Sequence, residues 1–129
     1  MIEFNQRELD RLTDRLQEAY AATVSEMDVA ITDAIDSPIW EWPRITQRKN
    51  GTEVFSPRDV VDTGYLREMQ DIETVSADQY NLINMAEYAP EVVFGSVQNN
   101  AIMPGRDFFT EGVRNVNLEQ TFQSKFRDN

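Results

Sequence analysis

Neither cysteine nor histidine occurs among the 129 residues of the chain. Their absence removes disulfides, thiolate nucleophiles and the Ser-His and Cys-His dyads of nucleophilic catalysis. It also removes the usual transition-metal ligands, leaving only oxygen sites of the kind that suit Mg or Ca. No Walker loop and no dinucleotide-type glycine pattern is present. Five glycines and five prolines are too few for a low-complexity or disordered chain. No apolar run approaches membrane length, and the opening MIEFNQRELD is polar and acidic, unlike a signal peptide. Bases are scarce, with 12 Lys and Arg against 23 Asp and Glu, a net charge of −11. Nucleic-acid binding requires a basic surface that displaces counterions, so this balance disfavours it. A strongly acidic surface acts the other way and lets a polyanion pass without sticking. The expectation is a single soluble domain that stays where it is made, with no cofactor, no metal and no membrane partner.

What is present begins with a long amphipathic segment. Leu9, Leu12, Leu16, Tyr20, Val24, Met27, Ile31 and Ile35 recur every three or four positions, which predicts one helix over residues 5–36. Asn5 followed by Glu8 reads as an N-terminal capping box, and Ser37-Pro38 ends the helix. A helix of that length spans about 48 Å. A compact chain of this size is only about 36 Å across. The helix therefore either bends within the core or overhangs and meets a partner. Its first half balances Arg7, Arg11 and Arg15 against Asp10, Asp14 and Glu18. Its second half carries Glu26, Asp28, Asp33 and Asp36 with no base, against the macrodipole. Either those acids form a tolerated solvated face or a basic surface elsewhere compensates them.

Residues 39–58, IWEWPRITQRKNGTEVFSPR, are locally basic on an acidic protein. Asn50-Gly51 is a hairpin-turn signal between PRITQRK and TEVFS. This predicts a hairpin arm in which Trp40, Trp42, Arg44, Arg48 and Lys49 grip a neighbouring subunit, the alternative being a solvated loop. Two further strands are expected over 65–86, LREMQDIETV and QYNLINMAE, joined by a turn at Ser76-Ala77-Asp78. A short helix is expected in EYAPEVVFG, 87–95, with Pro90 in its first turn and Gly95 past its end. SVQNNAIMPG then reads as a polar loop. Residues 106–127 read as helix in one piece or two, Asn117 with Gln120 being able to start a second. The expected fold class is α+β: a long N-terminal helix and a C-terminal helix packed on a small, mainly antiparallel sheet, with an extended hairpin arm.

RDVVDTGYLRE, residues 58–68, contains Asp62-Thr63-Gly64 after two apolar residues. Aspartic proteases present their catalytic carboxylate in this way, and a short chain would need a symmetric dimer to bring two together. Tyr65 is bulky where that loop wants a small residue, half the chain reads helical, and VVFGSV lacks the Arg of the usual partner segment. The structural alternative is a tight corner. Gly64 takes a backbone shape closed to other residues, Asp62 accepts backbone N–H bonds, and a strand leaves at Leu66.

RDVVDTGYLRE, EYAPEVVFG and MPGRDFFTEGVRN (103–115) occur in that order. In this the chain resembles the small tail-completion proteins of tailed bacteriophages, also called head–tail joining or neck proteins. The resemblance covers roughly residues 44–126, and the N-terminal helix agrees in type. Two positions depart from the family pattern: Glu68-Met69 after Arg67, and Phe94 where a Glu usually precedes the glycine. The resemblance implies a structural corner at Asp62, Thr63, Gly64, Leu66 and Arg67 rather than a catalytic site. It also implies a non-enzymatic virion protein, made in the bacterial host cytoplasm, that forms a hexameric ring at the head–tail junction. Its partners would be copies of itself, the connector or adaptor, and the tail terminator or tail tube, with DNA passing through unbound. Expected contacts add Tyr88, Arg106 and Phe108 to the arm, and the carboxylates Glu26, Asp28, Asp33 and Asp36 to an acidic surface. A tail terminator ring, the protease dimer and a free acidic regulatory module stay open as alternatives.

Overall fold

A computed structural model describes residues 5–40, 46–47, 51, 53–54, 64–98, 101–103 and 105–128. Helix α1 runs over Gln6–Asp36. The Asn5 side chain accepts from the Glu8 N–H at 2.9 Å while the Glu8 carboxylate accepts from the Asn5 N–H at 3.4 Å, closing the capping box that the sequence signals. Ser37 turns to an extended conformation ahead of Pro38 and ends the helix. Its 31 residues give a rod of about 46 Å.

Several of the elements that follow pack against this rod. Strand β1, Thr46–Gln47, pairs antiparallel with β2, Glu53–Val54, and Gly51 between them has φ 88°. A short helix α2, Tyr65–Glu68, leads into β3, Gln70–Ser76, which pairs antiparallel with β4, Gln79–Asn84. Helix α3, Ala89–Phe94, follows, then β5, Ser96–Gln98, paired antiparallel with β6, Ala101–Met103. The chain ends in α4, Phe108–Arg114, and α5, Leu118–Asp128. The fold is α+β as expected, with the strands of the described residues in three separate two-stranded hairpins.

Two local expectations are corrected. No strand leaves at Leu66. Gly64, at φ 83°, starts a helical turn closed by Glu68 N–H to Gly64 carbonyl and Met69 N–H to Tyr65 carbonyl, both at 3.0 Å, and the strand begins at Gln70. That turn delivers Leu66 into the core, 3% exposed, which outweighs the extended preference read from the sequence. The segment read as a polar loop after Gly95 is instead the β5–β6 hairpin, with β-branched Val97 and Ile102 as register partners.

The core sits under the second half of α1. Ile31, Ala34 and Ile35 pack with Leu66, Ala86, Ala89 and Phe108. Gly112 of α4 makes the approach of α4 to α1 close, because its missing side chain leaves room for the Ile31 backbone. Asp107 caps α4 through the Thr110 N–H at 3.0 Å, and Asn117 caps α5 through the Gln120 N–H at 3.0 Å. The C-terminal region is thus two helices. A polar chain links α1 to the hairpin: the Gln70 amide donates to Asp28 at 3.1 Å, and Asn84 donates to Gln70 at 3.2 Å and to the Leu66 carbonyl at 2.8 Å. Gln70 is buried, so these bonds replace the water it loses.

Candidate assembly surfaces

Among the arm residues, Trp42, Arg44, Arg48 and Lys49 lie outside the described residues, as do Asp62 and Thr63 of the corner. Trp40 is described and belongs to the chain's own fold. Its indole N–H donates to the Ala34 carbonyl at 2.8 Å and its ring packs on the core. The corner's described part is built into the fold too. Leu66 is buried, and the Arg67 guanidinium meets the Asp36 carboxylate at 3.0 Å, fastening the corner to the last turn of α1.

Two expected contact residues are corrected by burial. Phe108 is fully buried beside Ile31 and Ile35, and Arg106 is 5% exposed with its N–H donating to the Val92 carbonyl at 2.7 Å. Both therefore hold the α3–α4 connection from within and present no surface to a neighbour. The motif MPGRDFFTEGVRN marks how the last two helices are seated. Tyr88 remains on the surface, 40% exposed, with its ring 6.0 Å from that of Tyr65.

The four acids of α1 divide. Lys125 of α5 reaches Glu26 at 3.2 Å, Arg67 reaches Asp36, and Asp28 takes the Gln70 amide. Cations from two other elements thus answer the unfavourable end of the α1 dipole, which is the compensated alternative weighed from the sequence. Asp33 stays exposed with no ion pair among the described residues.

Sequence reasoning missed the apolar face formed by α3, α4 and the turn before them. Phe94 is 83% exposed and Met85 58%. Beside Phe94 lies a cleft of about 210 Å³ lined by Asn84, Ala89, Pro90, Val93, Phe94 and Phe109. Phe109 also forms one wall of a second, shallow cleft of about 400 Å³ with Thr110, Val113 and Arg114. Both are open to solvent along an apolar floor, a shape that receives a protein side chain more readily than it encloses a small molecule. The available signal was Phe94 itself, an aromatic immediately before the glycine that ends α3.

A second apolar surface lies at the other end of α1. Leu9, Leu12 and Leu16 are 42%, 36% and 42% exposed, while Ala19, Thr23 and Val24 farther along are buried. Tyr20 marks the boundary, stacked on Tyr80 of β4 with ring centroids 5.3 Å apart. Helix α5 packs along α1, meeting it at Arg15 and at Glu26. Its Phe126 lies under the Arg15 guanidinium, 4.3 Å from ring centroid to the charged carbon, and its Phe126 carbonyl accepts from Arg15 at 3.1 Å. The first turns of α1 are thus less covered than its second half.

None of the described helices is long and apolar enough to cross a membrane. No protein-family model, curated protein or solved structure matches the chain.

Proposed function

We propose that the chain is a structural virion protein that assembles as a ring, six copies around the axis, at the head–tail junction of a tailed phage. In this reading it joins the connector to the terminator or tube of the tail, and the genome passes through its centre. The observation that carries it is the α3–α4 face: an 83% exposed Phe94 beside clefts walled by Phe109, on a chain of net charge −11. An apolar aromatic face of this kind is a contact for another protein. The surrounding negative charge disfavours adhesion to DNA. A ring requires a heterologous interface, one patch meeting a different patch on the next copy. The chain offers separate apolar patches for that purpose, at Phe94 and at Leu9, Leu12 and Leu16.

The corner also favours a structural over a catalytic role for Asp62-Thr63-Gly64. Gly64 opens α2 at positive φ, Leu66 plugs the core, and Arg67 ties the segment to α1. These residues fix the geometry of one chain without a symmetry mate.

Electron microscopy of particles made when the gene is silenced in its phage tests the reading. The expected result is filled heads beside separate, finished tails. Tails of irregular length move the chain to the tail terminus. Unprocessed proheads revive Asp62 as a catalyst, and intact infectious particles overturn the virion role.

A further inference from the structure

The α3 side of the cleft at Phe94 carries charge of one sign. Glu87 and Glu91 are exposed, and neither carboxylate has an ion pair among the described residues. No Lys or Arg occurs over residues 84–95. On α3, Glu91 and Phe94 are three positions apart and so neighbours on the helix surface, with about 5–6 Å between Cβ atoms. The cleft is therefore apolar within and acidic along its α3 rim, a match for a group that is aromatic and basic together. We propose that residues 41–49 of a second copy of this chain occupy it, Trp42 entering the cleft beside Phe94 and Arg44 meeting Glu91. The proposal rests on the ring reading above and names the segment that meets its α3–α4 face.

Charge and composition select this occupant. The chain has two tryptophans, and Trp40 is committed to its own fold through the Ala34 carbonyl and the core. Trp42 is the other, and Trp and Arg are the residues that most often anchor an interface. Residues 41–49 hold Arg44, Arg48 and Lys49 against Glu41 alone, a basic stretch on a chain of net charge −11. Among the described elements, β1 and β2 pair with each other and neither packs closely on a third, so the hairpin that follows Trp42 is no part of the chain's own core. The exposed leucine end of α1 is the poorer match for Phe94. Residues 6–18 hold four acids against three bases, the same sign as Glu87 and Glu91.

The spacing of the two anchors agrees on both sides. A residue before proline favours the extended region, and two extended residues carry Trp42 and Arg44 about 6–7 Å apart across Pro43. Phe94 and Glu91 are separated by nearly the same distance on α3, so the aromatic and the charge engage together. The contact is heterologous, the arm of one copy in the cleft of the next. Each pair leaves one arm and one cleft unfilled, and further copies add until the rotation closes. Its charged part is open to screening by salt.

Sedimentation of the full chain from low micromolar to near-millimolar concentration tests the contact. The native chain is expected to self-associate, more weakly in high salt, and to lose about tenfold or more in affinity on Trp42→Ala, with the far-ultraviolet circular dichroism unchanged. Arg44→Glu and Glu91→Arg should each weaken association, and a chain carrying both should regain it, while Leu12→Glu leaves it as it was. Cysteine crosslinking identifies the partner, since the chain has no cysteine of its own. Glu41→Cys and Pro90→Cys chains should crosslink on oxidation when mixed and not when kept apart. A monomer over the whole range overturns the proposal. So does a chain carrying both cysteines that crosslinks only within itself, which would make the arm the cover of its own cleft. Association lost in Phe94→Ser and kept in Trp42→Ala overturns the arm as occupant while leaving the α3–α4 face as the ring contact. Association kept in both variants overturns that face as well.

Discussion

Gly112 faces Ile31 so closely that a Cβ added to it would sit 2.5 Å from the Ile31 Cα and 2.6 Å from its backbone nitrogen. No side-chain rotation relieves contact with backbone atoms, so α4 would have to move off α1. Alanine is the better helix former by about 1 kcal/mol. Overpacking of this kind costs about 1–3 kcal/mol, and contact with backbone places it at the upper end. Gly112→Ala is therefore expected to destabilise the chain on balance, by about 2 kcal/mol, read as a lower midpoint in urea unfolding. An unchanged or raised midpoint would show that α4 packs less tightly on α1 than this geometry requires.

Gly64 is constrained by its backbone more than by its surroundings. Its φ is 83°, and the nearest atom to an added Cβ is the mobile end of Arg67 at 3.3 Å. A left-handed conformation costs an L-residue about 1–2 kcal/mol. Gly64→Ala should lose stability in that range, and Gly64→Asn should lose less, since Asn tolerates the region better. Equal losses from both would point to space rather than φ as the constraint.

The polar chain and the surface ion pairs should respond differently to mutation. Asn84 is half-buried and serves three backbone or amide partners: the Leu66 carbonyl, the Gln70 side chain and the Ala86 N–H at 3.1 Å. Asn84→Ala leaves those groups unsatisfied, at about 2–3 kcal/mol. Lys125 and Glu26 are 35% and 50% exposed in their side chains. Lys125→Ala should cost less than about 1 kcal/mol and its effect should vanish in high salt. Chemical unfolding of both variants at low and high ionic strength checks the contrast, and a larger loss from Lys125→Ala would reverse this ranking.

Elements with a local cause were legible in the sequence. The Asn5–Glu8 cap, the Ser37-Pro38 stop, Pro90 and Gly95 around α3, and the Asn117 cap of α5 each depend on residues a few positions apart. Elements decided by distant contacts were misread. Residues 65–68 became helical because Leu66 is drawn into a core made by α1 and α4. The β5–β6 pair hid behind Asn99-Asn100 and three-residue strands too short to show a period. Surface and core also traded places. Phe108 and Phe109 are adjacent and alike in sequence, yet one is sealed in the core and the other walls a cleft. Which side of α4 meets α1 depends on Gly112, whose role appears only when Ile31 lies against it.

Phe94 separates assembly from folding. At 83% exposure it contributes little apolar burial to the isolated chain, so Phe94→Ser should leave the unfolding midpoint within about 0.5 kcal/mol of the native value. If the α3–α4 face is the subunit or partner contact, the same substitution removes an aromatic anchor from its centre, where such losses reach about 2 kcal/mol or more. Assembly should then fall by more than tenfold in concentration dependence, measured by light scattering on the full chain, while Leu12→Glu at the opposite end of the molecule has no such effect on it. Loss of stability in Phe94→Ser would instead mean that the residue supports α3. A stable variant that assembles normally would remove this face from the contact and leave the ring to be built through another surface.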